Sequence, residues 1–244
     1  TTRTLDDTPY LFTRIENGNS VIYAGAESED GAYAEYQLTS SNTNSFRPRA
    51  NKETGKIVFL RTEGSTVHLY SMNADGSDVQ KLTGSIPVNG FKISEVDFAW
   101  AQNGSAVYYP NYDKVYSISL NGTGANLIYQ TPDGSLITEI AVSDFNQNII
   151  ALKTNNINGY QTNIFTFNIA TQMIVNQVLV NYNGAAGGLD LDANGNRLLY
   201  TRDLSGSQNN QYRIFESRVF IYDFRTGISL ALETDVDQGE NDLD

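Results

Sequence analysis

Short apolar runs broken by Gly, Asn and Asp recur along almost the whole chain. The clearest stretch runs from Phe46 to Thr83. Ile57-Val58-Phe59-Leu60 follows a Thr54-Gly55 turn, Val67-His68-Leu69-Tyr70-Ser71-Met72 alternates until Asp75-Gly76, and Val79 to Leu82 alternates again. Runs rich in β-branched and aromatic residues, closed by Gly- and Asp-containing turns, predict strands joined as hairpins. No segment carries a 3.6-residue apolar period, so helices are not expected.

Taken in order, residues 1–9 read as a polar arm. Strands are predicted at Tyr10 to Ile15, Ser20 to Ala24 (after Asn17-Gly18) and Ala32 to Leu38. The unit then returns: Val96 to Trp100, Ala106 to Tyr109, Lys114 to Leu120 and Ala125 to Gln130; Glu139 to Ser143, Asn148 to Lys153, Asn163 to Ile169 and Ile174 to Val180; Gly188 to Asp192, Arg197 to Thr201, Arg218 to Phe224 and Ser229 to Leu232. The turn ahead of each second strand, placed at Gly18, Gly55, Gly104, Gln147 and Gly195, steps by 37, 49, 43 and 48 residues. The third-strand aromatic, at Tyr70, Tyr116, Phe165 and Phe220, steps by 46, 49 and 55. A period of about 40–50 residues with four strands per unit is the signature of propeller blades, which bury by radial packing the faces that a lone sheet leaves open. The expected fold is therefore all-β, a β-propeller of four-stranded antiparallel blades, five or six in number. It spans residues 10–232, and residues 233–244 form an acidic tail or open a further blade.

Composition narrows the functional classes. Lys and Arg number 16 against 28 Asp and Glu, a net charge of −12, which repels phosphate backbones and anionic lipid. With no Cys, disulfides, thiolate chemistry and Cys-ligated metals are excluded. No apolar run approaches the ~18 residues of a membrane span. The opening TTRTLDD lacks Met, as expected of a processed N-terminus from which a signal or lipid anchor was removed.

The repeats resemble the WD40-like units of TolB-type propellers. Thr54-Gly55-Lys56-Ile57-Val58-Phe59, Leu69-Tyr70-Ser71-Met72-Asn73-Ala74-Asp75-Gly76 and the closing Leu82-Thr83 match successive elements of that unit; Phe98-Ala99-Trp100 with Asn103-Gly104 opens the next. A literal Ser-Pro-Asp-Gly turn is missing. The resemblance implies a TolB-like fold, an extracytoplasmic location in the periplasm or at the outer membrane of a Gram-negative bacterium, and a role as a platform for protein partners. The matching residues build turns and cores and carry no chemistry.

A few stretches carry residue types suited to chemistry. His68, the only histidine, has no nominated Ser partner for a triad and reads as a strand residue. Asp190-Leu191-Asp192-Ala193-Asn194-Gly195 has the opening of a calcium loop. Thr201 stands where the bidentate Glu would be, and Leu198 where a propeller-type loop wants a carboxylate. Asp144, Asn146 and Asn148 offer an equally incomplete set, so both stretches read as turns. Tyr108, Tyr109, Tyr112 and Tyr116, near Trp100, form the densest aromatic run; it suits a blade core first and a protein or sugar surface second. The acidic tail reads as solvated. No Gly-x-Ser-x-Gly elbow occurs. No catalytic, cofactor or metal residue is assigned, and no cofactor is expected. The expected function is a non-catalytic protein-interaction scaffold of a bacterial envelope, with a carbohydrate-binding or carbohydrate-cleaving propeller as the alternative. Protein partners are expected, nucleic acid and a membrane span are not, and a small-molecule or glycan ligand stays open.

Overall fold

The computed structural model describes residues 3–28, 30–90, 92–93, 96–101, 103–143, 145–156, 161–205 and 217–232. Five antiparallel sheets follow one another along the chain, each a simple meander. Sheet 1 holds β1 (Tyr10–Glu16), β2 (Asn19–Glu27) and β3 (Tyr33–Gln37). Sheet 2 holds β4 (Ser45–Asn51), β5 (Lys56–Glu63), β6 (Thr66–Asn73) and β7 (Gln80–Lys81). Sheet 3 holds β8 (Ala99–Trp100), β9 (Ala106–Asn111), β10 (Lys114–Ser119) and β11 (Asn126–Gln130). Sheet 4 holds β12 (Leu136–Val142), β13 (Ile149–Asn156), β14 (Gln161–Asn168) and β15 (Met173–Asn183). Sheet 5 holds β16 (Ala186–Leu191), β17 (Arg197–Asp203), β18 (Ser217–Asp223) and β19 (Ile228–Ala231).

Alternation along each strand gives a sheet two apolar faces, and four core clusters sit between consecutive sheets. Ile22 and Ala24 of sheet 1 meet Ile57, Phe59, Tyr70 and Met72 of sheet 2. Val58, Leu60 and Leu69 on the other face of sheet 2 meet Phe98, Val107 and Tyr109. Tyr108 and Val115 meet Ile150, Leu152 and Phe165, and Ala151 and Ile164 meet Leu198, Tyr200 and Phe220. We call the face turned to the preceding sheet the front and the other the back. No cluster among the described residues joins the back of sheet 5 to the front of sheet 1.

The strands lie close to where the apolar pattern puts them, with four differences. β4 was not anticipated: its sequence SFRPRAN lacks apolar alternation, and it pairs with β5 through a register shift between Phe46 and Arg49, where Arg47 adopts φ 54°. β8 is shorter than the run read from Val96. Val96 and Phe98 are buried without joining the strand, and Asp97 instead binds Arg49 at 2.5 Å. Residues 3–8 are no loose arm, because Leu5 and Thr8 are buried and Asp6 meets Lys52 at 3.1 Å.

The fourth difference concerns phase. Gly18 does not correspond to Gly55. Within β1–β2, Phe12 opposes Tyr23 and stacks on it at 5.7 Å, with Arg14 over both rings. Within β5–β6, Phe59 opposes Tyr70 at 5.8 Å, with Arg61 over both. Leu38 N–H donates to Ile22 O (2.9 Å) as Leu82 N–H does to Leu69 O (2.8 Å). The Thr39 hydroxyl accepts from Ile22 N–H (2.9 Å) as Thr83 does from Leu69 N–H (3.1 Å). Sheet 1 therefore consists of second, third and fourth strands, and the Asn17-Gly18 turn matches Gly64-Ser65. The short first step of 37 residues reflects this misalignment.

Candidate functional site

The residues singled out in the sequence fall mainly into structural roles. His68 is buried on β6. Its Nδ1 pairs with the Thr83 hydroxyl at 2.9 Å and its Nε2 with the Thr66 hydroxyl at 3.1 Å. Burial first, and then the Lys81 charge, push its pKa below the ordinary value, against the pull of Glu63. In the Asp190–Gly195 stretch, the Asp192 carboxylate accepts the N–H groups of Asn196 (2.7 Å) and Arg197 (3.1 Å), so it closes its own turn. Leu198 is fully buried, and Thr201 donates its hydroxyl to Gly187 O. Asn146 caps the turn before Asn148 in the same manner at 3.0 Å; Asp144 lies outside the described residues, as does the 233–244 tail. Among the described residues no group of three His, Cys, Asp or Glu side chains is placed to hold a metal.

The Tyr108–Tyr116 run is split between faces. Tyr109 is fully buried toward sheet 2 and donates its hydroxyl to Ile86 O at 2.9 Å. Tyr108 is buried toward sheet 4. Burial raises both phenol pKa values. Tyr116 stacks on Tyr109 at 5.9 Å, and Trp100 donates Nε1–H to Arg49 O at 3.0 Å. Only Tyr112, in the β9–β10 turn, is strongly exposed, at 47 %.

An aromatic surface does exist, and linear density did not reveal it. The front of sheet 1 gathers Tyr10, Phe12 and Arg14 from β1 with Tyr23 from β2 and Tyr33 from β3. Hairpin pairing about Asn17-Gly18, both at positive φ (51° and 82°) as a type I′ turn requires, sets Phe12 against Tyr23. Tyr10 and Tyr33 approach to 6.5 Å over Gly25, where any Cβ would collide with the Tyr33 ring. Arg14 forms an ion pair with Glu35, which holds its charge, and the Tyr23 hydroxyl donates to Glu16. Tyr10 and Tyr33 remain 51 % and 52 % exposed, and Phe12 and Tyr23 are half-buried. The corresponding pairs behave differently: Phe59–Tyr70 and Tyr200–Phe220 are buried beneath the preceding sheet. The signal in the sequence was the Phe-x-Arg motif of β1, repeated at Phe59-x-Arg61 and as Tyr200-x-Arg202.

A second concavity of about 170 Å³ opens between sheets 3 and 4, lined by Tyr129, Asp133, Phe165, Ile174 and Leu179 among others. Asp133 is engaged by Ser135 through both N–H and hydroxyl. No helix of the described residues is long and apolar enough to cross a membrane.

No family model and no curated protein matches the sequence. Solved structures do. TolB from Acinetobacter baumannii aligns with TM-score 0.66 at 12 % identity, over 92 % of this chain and 51 % of that one. This chain thus spans about half its length. A protein described as TolB from Agrobacterium tumefaciens aligns with TM-score 0.64 at 10 % identity, over 94 % and 78 %. The GH74 xyloglucanase of Xanthomonas campestris aligns with TM-score 0.60 at 10 % identity, over 91 % and 36 %. At these identities the likeness speaks for the fold: an all-β chain of consecutive antiparallel sheets, packed face to face in sequence order, is a TolB-like β-propeller.

Proposed function

We propose that the chain is a non-catalytic protein-interaction scaffold of a bacterial cell envelope, in which the front of sheet 1 is the docking surface. One observation carries the reading. The Phe12–Tyr23 stack beneath Arg14 has the composition and geometry of pairs that are buried elsewhere in the same molecule, yet among the described residues it is only half-buried. Aromatic and Arg side chains are the groups that dominate protein interfaces. Tyr10 and Tyr33 extend the patch with apolar area that ends in hydroxyls.

The carbohydrate alternative draws on the likeness to a xyloglucanase. The tyrosine run that would have lined its pocket is largely given to the cores on either side of sheet 3.

The test is a cross-linked pull-down from envelope extracts with wild type and a Tyr10→Lys/Tyr33→Lys double variant, both positions being half exposed. A stoichiometric protein recovered by wild type, at least about tenfold less by the variant, and cross-linked to sheet 1 is the expected result. Equal recovery by both, or none by wild type, rejects the reading.

A further inference from the structure

Every sheet repeats one position on its second strand, two residues beyond the side chain that opposes the third-strand aromatic. In sheets 1, 2 and 5 the position holds Arg14, Arg61 and Arg202. Arg61 lies over the Tyr70 ring at 4.6 Å and Arg202 over Phe220 at 4.2 Å. In sheet 3 it holds Asn111, whose amide donates to Pro87 O at 2.8 Å. In sheet 4 it falls on Thr154, because Leu152 opposes Phe165 as Phe59 opposes Tyr70. Threonine is too short to cover the ring, and the 170 Å³ cavity opens here, with Thr154 and Phe165 in its wall. Thr154 is 2 % exposed, and its hydroxyl has no hydrogen-bond partner among the described residues. A buried hydroxyl left unpaired is costly. From sheet 3 the cavity takes Tyr129, which meets Phe165 edge-on at 5.7 Å, and Asp133 in the connection to β12. Asp133 is the sole charged group among the described residues that line it. Its charge reaches the interior, since it adds to burial in raising the Tyr129 phenol pKa.

We infer that this cavity binds a guanidinium group from outside the chain, seated by Phe165 where other sheets seat an arginine of their own. The site is separate from the front of sheet 1 and stands without it. Its chemistry suits a planar cation, which stacks on aromatic faces and presents a fork of N–H donors. Tyr129 and Phe165 supply the rings. Asp133 supplies the opposite charge: Ser135 occupies one acceptor position on each of its oxygens, and a carboxylate has about four in all. The Thr154 hydroxyl and the Gln177 amide add further acceptors on the wall. An ammonium lacks the plane, and a neutral urea group lacks the charge. The guanidinium can arrive on a free alkylguanidine or on an arginine side chain of a protein, and the two are told apart by experiment.

The test follows amide chemical shifts of the 244-residue chain by NMR during titration with agmatine and with the peptide Gly-Gly-Arg-Gly-Gly. The same peptide with citrulline in place of arginine keeps the shape and removes the charge. A guanidinium probe is expected to move the amides of Asn163, Phe165 and Gln177 saturably, with Kd on the order of millimolar. The citrulline peptide should bind at least about tenfold more weakly. Saturation by the arginine peptide assigns the site to a protein side chain, and saturation by agmatine alone assigns it to a free alkylguanidine. Thr154→Arg places in sheet 4 the residue that sheets 1, 2 and 5 carry and should abolish the shifts. Asp133→Asn keeps an acceptor for the Ser135 N–H and should weaken binding about threefold or more. The inference is overturned if neither guanidinium probe saturates or if citrulline binds as well as arginine. It is equally overturned by undiminished binding to Asp133→Asn or to folded Thr154→Arg.

Discussion

The smallest recurring device in the molecule is a side-chain oxygen that completes the backbone where a strand ends. Asp75, Asn103, Asn121 and Asp133 each accept the N–H of the Ser or Thr two residues on, and its hydroxyl as well. These Asx turns stop the strand because the side chain replaces a ladder acceptor. Thr83 is the buried version: its hydroxyl serves both Leu69 N–H and His68 Nδ1. Thr83→Val keeps the shape and strands both groups, so a loss of about 1–3 kcal/mol is expected by urea denaturation. His68 itself gives a signed pH dependence. Its folded pKa is below the ordinary 6.5, so the unfolded chain takes up the proton first. The stability it contributes is complete above about pH 6.5 and drains as pH falls toward the folded value. Between about pH 7.5 and about pH 5.5 the urea midpoint of wild type should fall further than that of His68→Asn; parallel falls would contradict the assignment.

At the scale of elements, sheets are tied by contacts that the sequence could not announce. Glu139 of β12 accepts Lys153 Nζ and Gly188 N–H at 3.1 Å on one oxygen and Leu189 N–H at 3.1 Å on the other, clasping sheet 4 to the first strand of sheet 5. Gly187 leaves the room for this, since a Cβ there would lie 2.5 Å from the Glu139 carboxylate. Glu139→Gln keeps one acceptor oxygen, and Glu139→Ala keeps none and leaves Lys153 half-enclosed. Losses of about 1 and about 3 kcal/mol are expected respectively, read from urea midpoints. Strand positions were legible because alternation and turn residues are local properties. The four-strand unit was legible because it repeats. β4 was not, because its Arg47-Pro48 kink breaks alternation. The phase of sheet 1 was not, because a Gly turn between first and second strands and one between second and third look alike until Phe12 is seen stacked on Tyr23. The exposed aromatic face was hidden for the same reason: Tyr10, Phe12, Tyr23 and Tyr33 are spread over 24 positions and meet only through hairpin register.

At the scale of the whole molecule, 28 acidic against 16 basic residues leave a net charge of −12 that opposes compaction. Raising monovalent salt from about 0.02 M to about 0.3 M shortens the Debye length several-fold and should raise Tm by a few degrees. A fall would show that pairs such as Lys56–Asp78 and Lys81–Glu63 outweigh the repulsion.

The four cores run in series, each shared by two consecutive sheets. A molecule assembled this way behaves as a row of nearest-neighbour couplings. Among the described residues, sheets 2, 3 and 4 are each gripped from both sides, while sheets 1 and 5 are gripped from one. Under tension or protease it should come apart from its ends inward, like a stack losing its outer plates, with the middle plates last. A partner seated on the front of sheet 1 would then do more than dock: it would brace a plate ready to leave, so that binding and resistance to unravelling rise together.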